Sequence, residues 1–199
     1  MTRVKLCGLR SEADVRTVLE LRSDYAGFIL SKGFRRSIDY DTFTELSELL
    51  VGSGILRVGV FVNEPLDSIV ELFLDGIDII QLHGSEGNQY ISDLRMYTDK
   101  PIIKAFAIKS SSDIDTARKS SADYILLDSG TGTGVTFDHS LITGIDRPFF
   151  LAGGLTADNV GEAISSFNPY AVDASSSLET NGIKDKEKMS AFVKAVRNC

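Results

Sequence analysis

The stretch Tyr124-Ile125-Leu126-Leu127 is a continuous apolar run, closed by Asp128 and followed by Ser129-Gly130-Thr131-Gly132-Thr133-Gly134. A run that is continuous rather than alternating has the character of a strand covered on both faces, as in a parallel sheet. Similar short runs recur in both directions from it, at 3–6, 25–30, 56–62, 77–82, 102–107, 149–152 and 170–172, which makes eight candidate strands.

Helical patterns fill the gaps. Ser11-Glu12-Ala13-Asp14 reads as a capping box before Val15, Val18 and Leu19. Residues 41–50 put Phe43, Leu46, Leu49 and Leu50 at helical spacing, and Pro65 suits a first helical turn before Ile69, Val70 and Phe73. Thr156 is placed to cap a helix carrying Val160, Ala163 and Ile164. Met189, Phe192, Val193 and Val196 give the last helix its i, i+3, i+4, i+7 stripe. The segments after the fifth and sixth strands are shorter and more polar. Strand and helix thus alternate eight times, which predicts an α/β chain: a (β/α)8 TIM barrel formed as a single domain over residues 1–199. An open, doubly wound sheet is the alternative.

Composition excludes several classes. Of 199 residues, 43% are apolar and 25% charged, the balance of a globular protein rather than a disordered or fibrous one. No apolar run reaches the ~20 residues of a membrane span. The net charge of −7 supplies no basic stripe for nucleic acid. Lys184-Asp185-Lys186-Glu187-Lys188 mixes both signs and reads as a solvated helix start. Cys7 and Cys199 are too few for a disulfide framework, and neither they nor His83 and His139 have metal-ligand spacing. The start lacks the apolar core of a signal peptide, so a reducing cytoplasm is expected.

In a barrel of this kind the chemistry sits on the loops after the strands. Cys7-Gly8 follows the first strand; Cys7 is either a small buried residue or a group activated by a nearby cation. Arg35-Arg36 follow the second and could clamp a carboxylate or phosphate. His83 follows the fourth and could donate a hydrogen bond, move a proton or pack. Asp128 ends the sixth, where partial burial would raise its pKa and suit it to proton donation; otherwise it would tie down its loop. Gly153-Gly154 and Ser175-Ser176 follow the seventh and eighth, where barrels commonly hold phosphate. The set suits a small-molecule substrate carrying a phosphate and a second anion and undergoing proton transfer.

The motifs Val4-Lys5-Leu6-Cys7-Gly8, Arg57-Val58-Gly59-Val60-Phe61-Val62-Asn63, Gln81-Leu82-His83-Gly84, Leu126-Leu127-Asp128, Ala152-Gly153-Gly154-Leu155 and Ala171-Val172-Asp173-Ala174-Ser175-Ser176 occur in this order. In this the chain resembles the phosphoribosylanthranilate isomerases of tryptophan biosynthesis, over nearly its whole length. The resemblance implies a barrel that converts N-(5-phosphoribosyl)anthranilate into its 1-deoxyribulose 5-phosphate isomer by an Amadori rearrangement, with no cofactor and no metal. It implies Cys7 as general base, Asp128 as general acid, and Arg36 on the anthranilate carboxylate. It implies Gly153, Gly154, Ser175 and Ser176 on the phosphate, with Asp173 and His83 at motif positions near the substrate. A monomer is expected, with a homodimer as the alternative. The chain departs from the family pattern at Val135, where a lysine is usual, at His139 for a tryptophan, and at Ser177 for a glycine. The competing readings are a barrel acting on another phosphosugar and one that binds a phosphorylated metabolite without turning it over.

Overall fold

Successive side chains of a strand point to opposite faces, and closing a sheet turns one of those faces into an interior. The computed structural model describes residues 1–128, 142 and 144–199. Among them, eight parallel strands close in chain order into a barrel. They are β1 (Arg3–Cys7), β2 (Tyr25–Ile29), β3 (Leu56–Phe61), β4 (Ile79–Leu82), β5 (Ile102–Ala107), β6 (Tyr124–Asp128), β7 (Phe149–Ala152) and β8 (Ala171–Ala174). β8 returns to pair with β1, from Arg3 opposite Ala171 to Leu6 opposite Ala174. The open-sheet alternative is thereby excluded.

Parity sorts the residues of each strand. Ile125 and Leu127 of β6 join the outer core beneath the helices, whereas Leu126 joins Tyr25, Val58, Val60, Ile79, Ile103 and Phe150 in the barrel interior. Both layers are apolar, which is why the strands read as continuous runs. Burying one such side chain stabilises the fold by about 1.5–3 kcal/mol. The fourth and eighth strands start later than expected, at Ile79 and Ala171. Ile77 and Tyr170 still pack as core or core-edge residues.

The helices form for local reasons. Ser11 caps α1 (Glu12–Leu21) in a reciprocal box with Asp14, and the helix ends at left-handed Arg22. Asp39 caps α2 (Tyr40–Glu48). After Pro65, α3 (Leu66–Ser68) widens into a π turn over 69–73 and then tightens. The widened turn keeps Ile69 and Phe73 on the core side, with Phe73 against Phe43 and Phe61. α4 (Asn88–Leu94) buries only Ile91 and Leu94, too short a stripe to stand out in the sequence. α5 (Ser111–Arg118), in the polar segment after the fifth strand, is secured by a capping box between Ser110 and Asp113.

Thr156 does not cap α6 (Val160–Phe167); the cap position is Asn159. Thr156 instead shapes the turn before the helix, its carbonyl accepting from Val160 N–H and its hydroxyl from Asp158 N–H. α7 (Lys186–Arg197) is capped by Asp185. Between β8 and α7 lies a hairpin of β9 (Glu179–Thr180) and β10 (Ile183–Lys184). Its turn, Asn181-Gly182, has both residues at positive φ, the usual chemistry of a two-residue hairpin loop. The glycine-rich tract after Asp128, the helix expected there, Val135 and His139 lie outside the described residues. No helix among the described residues is long and apolar enough to cross a membrane.

At the N-terminal end of the barrel, three aspartates do the same work. Asp24, Asp78 and Asp123 stand just before β2, β4 and β6. Each accepts the N–H that opens its neighbouring segment, from Val4 at 2.8 Å, Arg57 at 2.8 Å and Ile102 at 2.7 Å. Each also pairs with an arginine: Arg197, Arg57 and Arg95 respectively.

Candidate active site

The parity that fills the barrel also chooses what faces its mouth. Cys7 is the last residue of β1 and Asp128 the last of β6, both on the inward register, with strands β7 and β8 between them. Gln81 and His83 continue the inward register of β4, and Asp173 that of β8. A cavity of about 320 Å³ opens there. Cys7, Arg36, His83, Asp128, Gly153, Gly154, Asp173, Ser175 and Ser176 all line it. The structure thus brings these residues to one place; Arg35, the other arginine of the pair after β2, does not line the cavity and pairs with Glu179.

Cys7 is buried beside two groups that the sequence does not mark as site residues. Lys5 is fully buried and donates to Asp173 Oδ2 at 2.8 Å. Lys184 donates to Ser175 O at 2.9 Å, and Ser175 Oγ donates to Cys7 O at 3.0 Å. Burial pushes the Cys7 thiol up, and Lys5 and Lys184 pull it partly back. Burial also disfavours the Lys5 ammonium, but Asp173 and Cys7 together outweigh it and push the Lys5 pKa up. The second oxygen of Asp173, Oδ1, is buried with no hydrogen-bond partner among the described residues, as is Gln81 Oε1.

His83 sits between Gln81 and Asp128. The Gln81 amide lies 3.0 Å from His83 Nδ1, and His83 Nε2 lies 3.7 Å from Asp128 Oδ2. With the amide donating, the neutral ring carries its proton on Nε2, toward Asp128. Desolvation lowers the His83 pKa and Asp128 opposes that shift, so burial favours the neutral ring.

One part of the cavity wall comes from the loops after β7 and β8. Gly153 (φ 90°) and Gly154 (φ 67°) turn left-handed after β7, a conformation that L side chains rarely adopt. Ser175 and Ser176 lead into a single 3-10 turn over 176–178. Ser177 also reaches the cavity wall.

Arg36 lines the cavity together with Ile29, Phe34, Val60 and Val62, an apolar stretch of its wall, and its stem passes close to Gly8 and Ser175. Its guanidinium is already gripped by Glu179: Nε donates to Oε1 at 2.5 Å and Nη2 to Oε2 at 3.0 Å. Glu179 also takes Arg35 at 2.6 Å and Lys184 at 3.2 Å. Lys184 is 1% exposed, so it is not the solvated helix-start residue expected; it is drawn inward by Glu179 and Ser175. The Asn181-Gly182 dipeptide was the sequence signal for this missed pair, since it marks the hairpin that places Glu179 opposite Lys184.

The arrangement brings a thiol, a carboxyl and an imidazole to one cavity, together with a guanidinium beside apolar side chains, a left-handed glycine pair and a serine pair. Residues 4–195 match the family model described as N-(5'phosphoribosyl)anthranilate (PRA) isomerase. The N-(5'-phosphoribosyl)anthranilate isomerase of Endomicrobium trichonymphae is 43% identical over 204 residues, covering all of both chains. That of Thermoanaerobacter sp. is 38% identical, covering 99% of this chain and 98% of the other. The crystal structure of phosphoribosyl anthranilate isomerase from Thermotoga maritima superposes with a TM-score of 0.91 at 33% identity, over the whole of both chains. Another structure of such an enzyme, in complex with reduced 1-(o-carboxyphenylamino)-1-deoxyribulose 5-phosphate, matches at 0.88 and 32% identity, again over both whole chains.

Proposed function

The chain belongs to the N-(5'-phosphoribosyl)anthranilate isomerase family, and from that premise we propose that its cavity carries out the Amadori rearrangement of tryptophan biosynthesis with Asp128 as acid and Cys7 as base. One observation carries the reading: a carboxyl and a thiol end inward-facing strands on one cavity that also holds Arg36 and the glycine–serine loops. Residues 1–199 act in it as one barrel domain, on a small-molecule substrate.

The substrate's phosphate lies against Gly153, Gly154, Ser175 and Ser176, and its aryl ring lies along Phe34, Val60 and Val62 with its carboxylate on Arg36. Holding both ends fixes the reacting carbons between Cys7 and Asp128. Asp128, as carboxylic acid, gives its proton to the ribose ring oxygen. The C1′–O bond breaks and the nitrogen lone pair forms the iminium. That cation acidifies the C2′ proton and joins Lys5 and Lys184 in favouring the thiolate. Cys7 takes the proton, leaving an enolamine that tautomerises to the ketone. His83, with Nε2–H toward Asp128, steadies the carboxylate after transfer. Each acid or base contributes about 10²- to 10⁴-fold in rate.

The test is a fluorescence assay. Phosphoribosylanthranilate is generated in place from anthranilate and phosphoribosyl pyrophosphate by a transferase, and the magnesium is then chelated. Wild-type protein should remove the substrate fluorescence rapidly and yield the ketose, while Asp128→Asn falls to about 10⁻² to 10⁻⁴ of that rate. Equal rates for the two proteins would remove Asp128 from the mechanism. No turnover by folded wild type would point to another phosphosugar or to binding alone.

A further inference from the structure

We propose that Glu179 is a positioning residue for substrate recognition: by gripping one edge of the Arg36 guanidinium it presents the other edge to the cavity, ready for an aryl carboxylate. The inference rests on the reading of Arg36 as the carboxylate clamp.

A guanidinium is a planar fork with five N–H groups and can offer paired donors along more than one edge. Glu179 occupies the edge formed by Nε and Nη2. The substrate is left the end-on edge, Nη1 with the second hydrogen of Nη2. Glu179 is not among the residues lining the cavity and its side chain is 4% exposed, so it acts through Arg36 and not on the substrate.

Three features keep this grip in place. Glu179 is itself anchored, by Lys184 and by Arg35. The β9–β10 hairpin fixes its backbone, and Lys188 Nζ donates to its carbonyl at 2.7 Å. The stem of Arg36 runs across Gly8, where a Cβ would stand 2.6 Å from Arg36 Cδ and 3.0 Å from Ser175 Oγ. Only glycine leaves that path open. The charges also fit: one carboxylate among Arg35, Arg36 and Lys184 leaves the cluster cationic, so Glu179 aligns the arginine without cancelling its attraction for an anion.

Two ligands and four proteins test this by titration calorimetry. The ligands are reduced 1-(2-carboxyphenylamino)-1-deoxyribulose 5-phosphate and the same compound without its carboxyl group. The proteins are wild type, Arg36→Met, Glu179→Gln and Glu179→Asp. Arg36→Met and Glu179→Gln should each weaken the carboxylated ligand about 10- to 100-fold, the scale of charge-assisted hydrogen bonds lost or misaligned. Both should bind the carboxyl-free ligand as wild type does, which also shows that they are folded. Glu179→Asp keeps the charge and should recover part of the loss. Equal weakening of both ligands by Glu179→Gln would make Glu179 a structural residue and overturn the proposal. Unchanged or tighter binding of the carboxylated ligand would overturn it too, since Glu179 would then be idle or a competitor. If Arg36→Met does not distinguish the ligands, the clamp reading itself fails, and the proposal with it.

Discussion

The two ends of the barrel are made from the same eight strands, yet they treat charge in opposite ways. At the N-terminal end Asp24, Asp78 and Asp123 each accept a backbone N–H and an arginine. Each carboxylate there closes the start of a neighbouring strand. At the C-terminal end Lys5, Cys7 and Asp173 are buried together, Asp173 Oδ1 and Gln81 Oε1 lack partners among the described residues, and Arg36, His83 and Asp128 face an open cavity. A buried polar group without a partner costs stability. That cost collects at one end, where the site lies. Changes to side chains that face the cavity should therefore alter turnover with little effect on stability, and changes to the ion pairs that hold the strands and loops in place should do the reverse.

The largest expected effect is at the mouth. Cys7→Ser keeps the size of the side chain and removes the group able to become a thiolate. Steady-state kinetics should show kcat/KM lower by about 10²- to 10⁴-fold, with the thermal midpoint close to that of wild type. If the variant keeps most of its activity, the base has been misassigned. If it instead unfolds early, Cys7 also supports the fold and the mouth is not separable from it.

At the base, Asp78→Asn replaces the carboxylate that Arg57 holds through Nε at 2.9 Å and Nη2 at 2.8 Å. The amide can still accept the Arg57 N–H but not the bidentate pair as an anion. Chemical denaturation should show a loss of about 1–3 kcal/mol, the range for charge-assisted bonds. Turnover at saturating substrate should be unchanged at temperatures where the variant is folded. A fall in kcat without a fall in stability would reverse the comparison.

The same contrast decides what could be read from the sequence. The strands were legible because both faces are apolar, and Cys7, His83 and Asp128 were legible because they stand at strand ends, where parity carries a side chain into the mouth. Lys5 was not, since a lysine inside a strand reads as an edge or surface residue until its partner is known. That partner, Asp173, is 168 residues away. Glu179 and Lys184 escaped for a different reason. Their hairpin interrupts the strand–helix alternation, and charges near a helix start resemble a solvated face. The cap of α6 was misplaced because a turn intervenes between Thr156 and the helix.

The smallest effect separates the two ends by acid titration. Lys184 and Arg36 hold the Glu179 carboxylate well below the ordinary value of 4.5, at about 2, against a burial effect that acts the other way. A carboxyl whose pKa is lower folded than unfolded stabilises the fold fully above its unfolded value, and that contribution fades as pH falls through the folded one. For Glu179 the window runs from 4.5 down to about 2. Asp78 is also held below its ordinary 3.8, by Arg57, so its window opens lower, at 3.8. Unfolding midpoints of wild type, Glu179→Gln and Asp78→Asn across this range should converge in sequence. The gap between wild type and Glu179→Gln should begin to narrow near pH 4.5, and the gap for Asp78→Asn only below 3.8. If both gaps close together, Glu179 and Asp78 are equivalent ion pairs, and the distinction between a mouth cluster crowded with cations and a base of single clamps loses its energetic meaning.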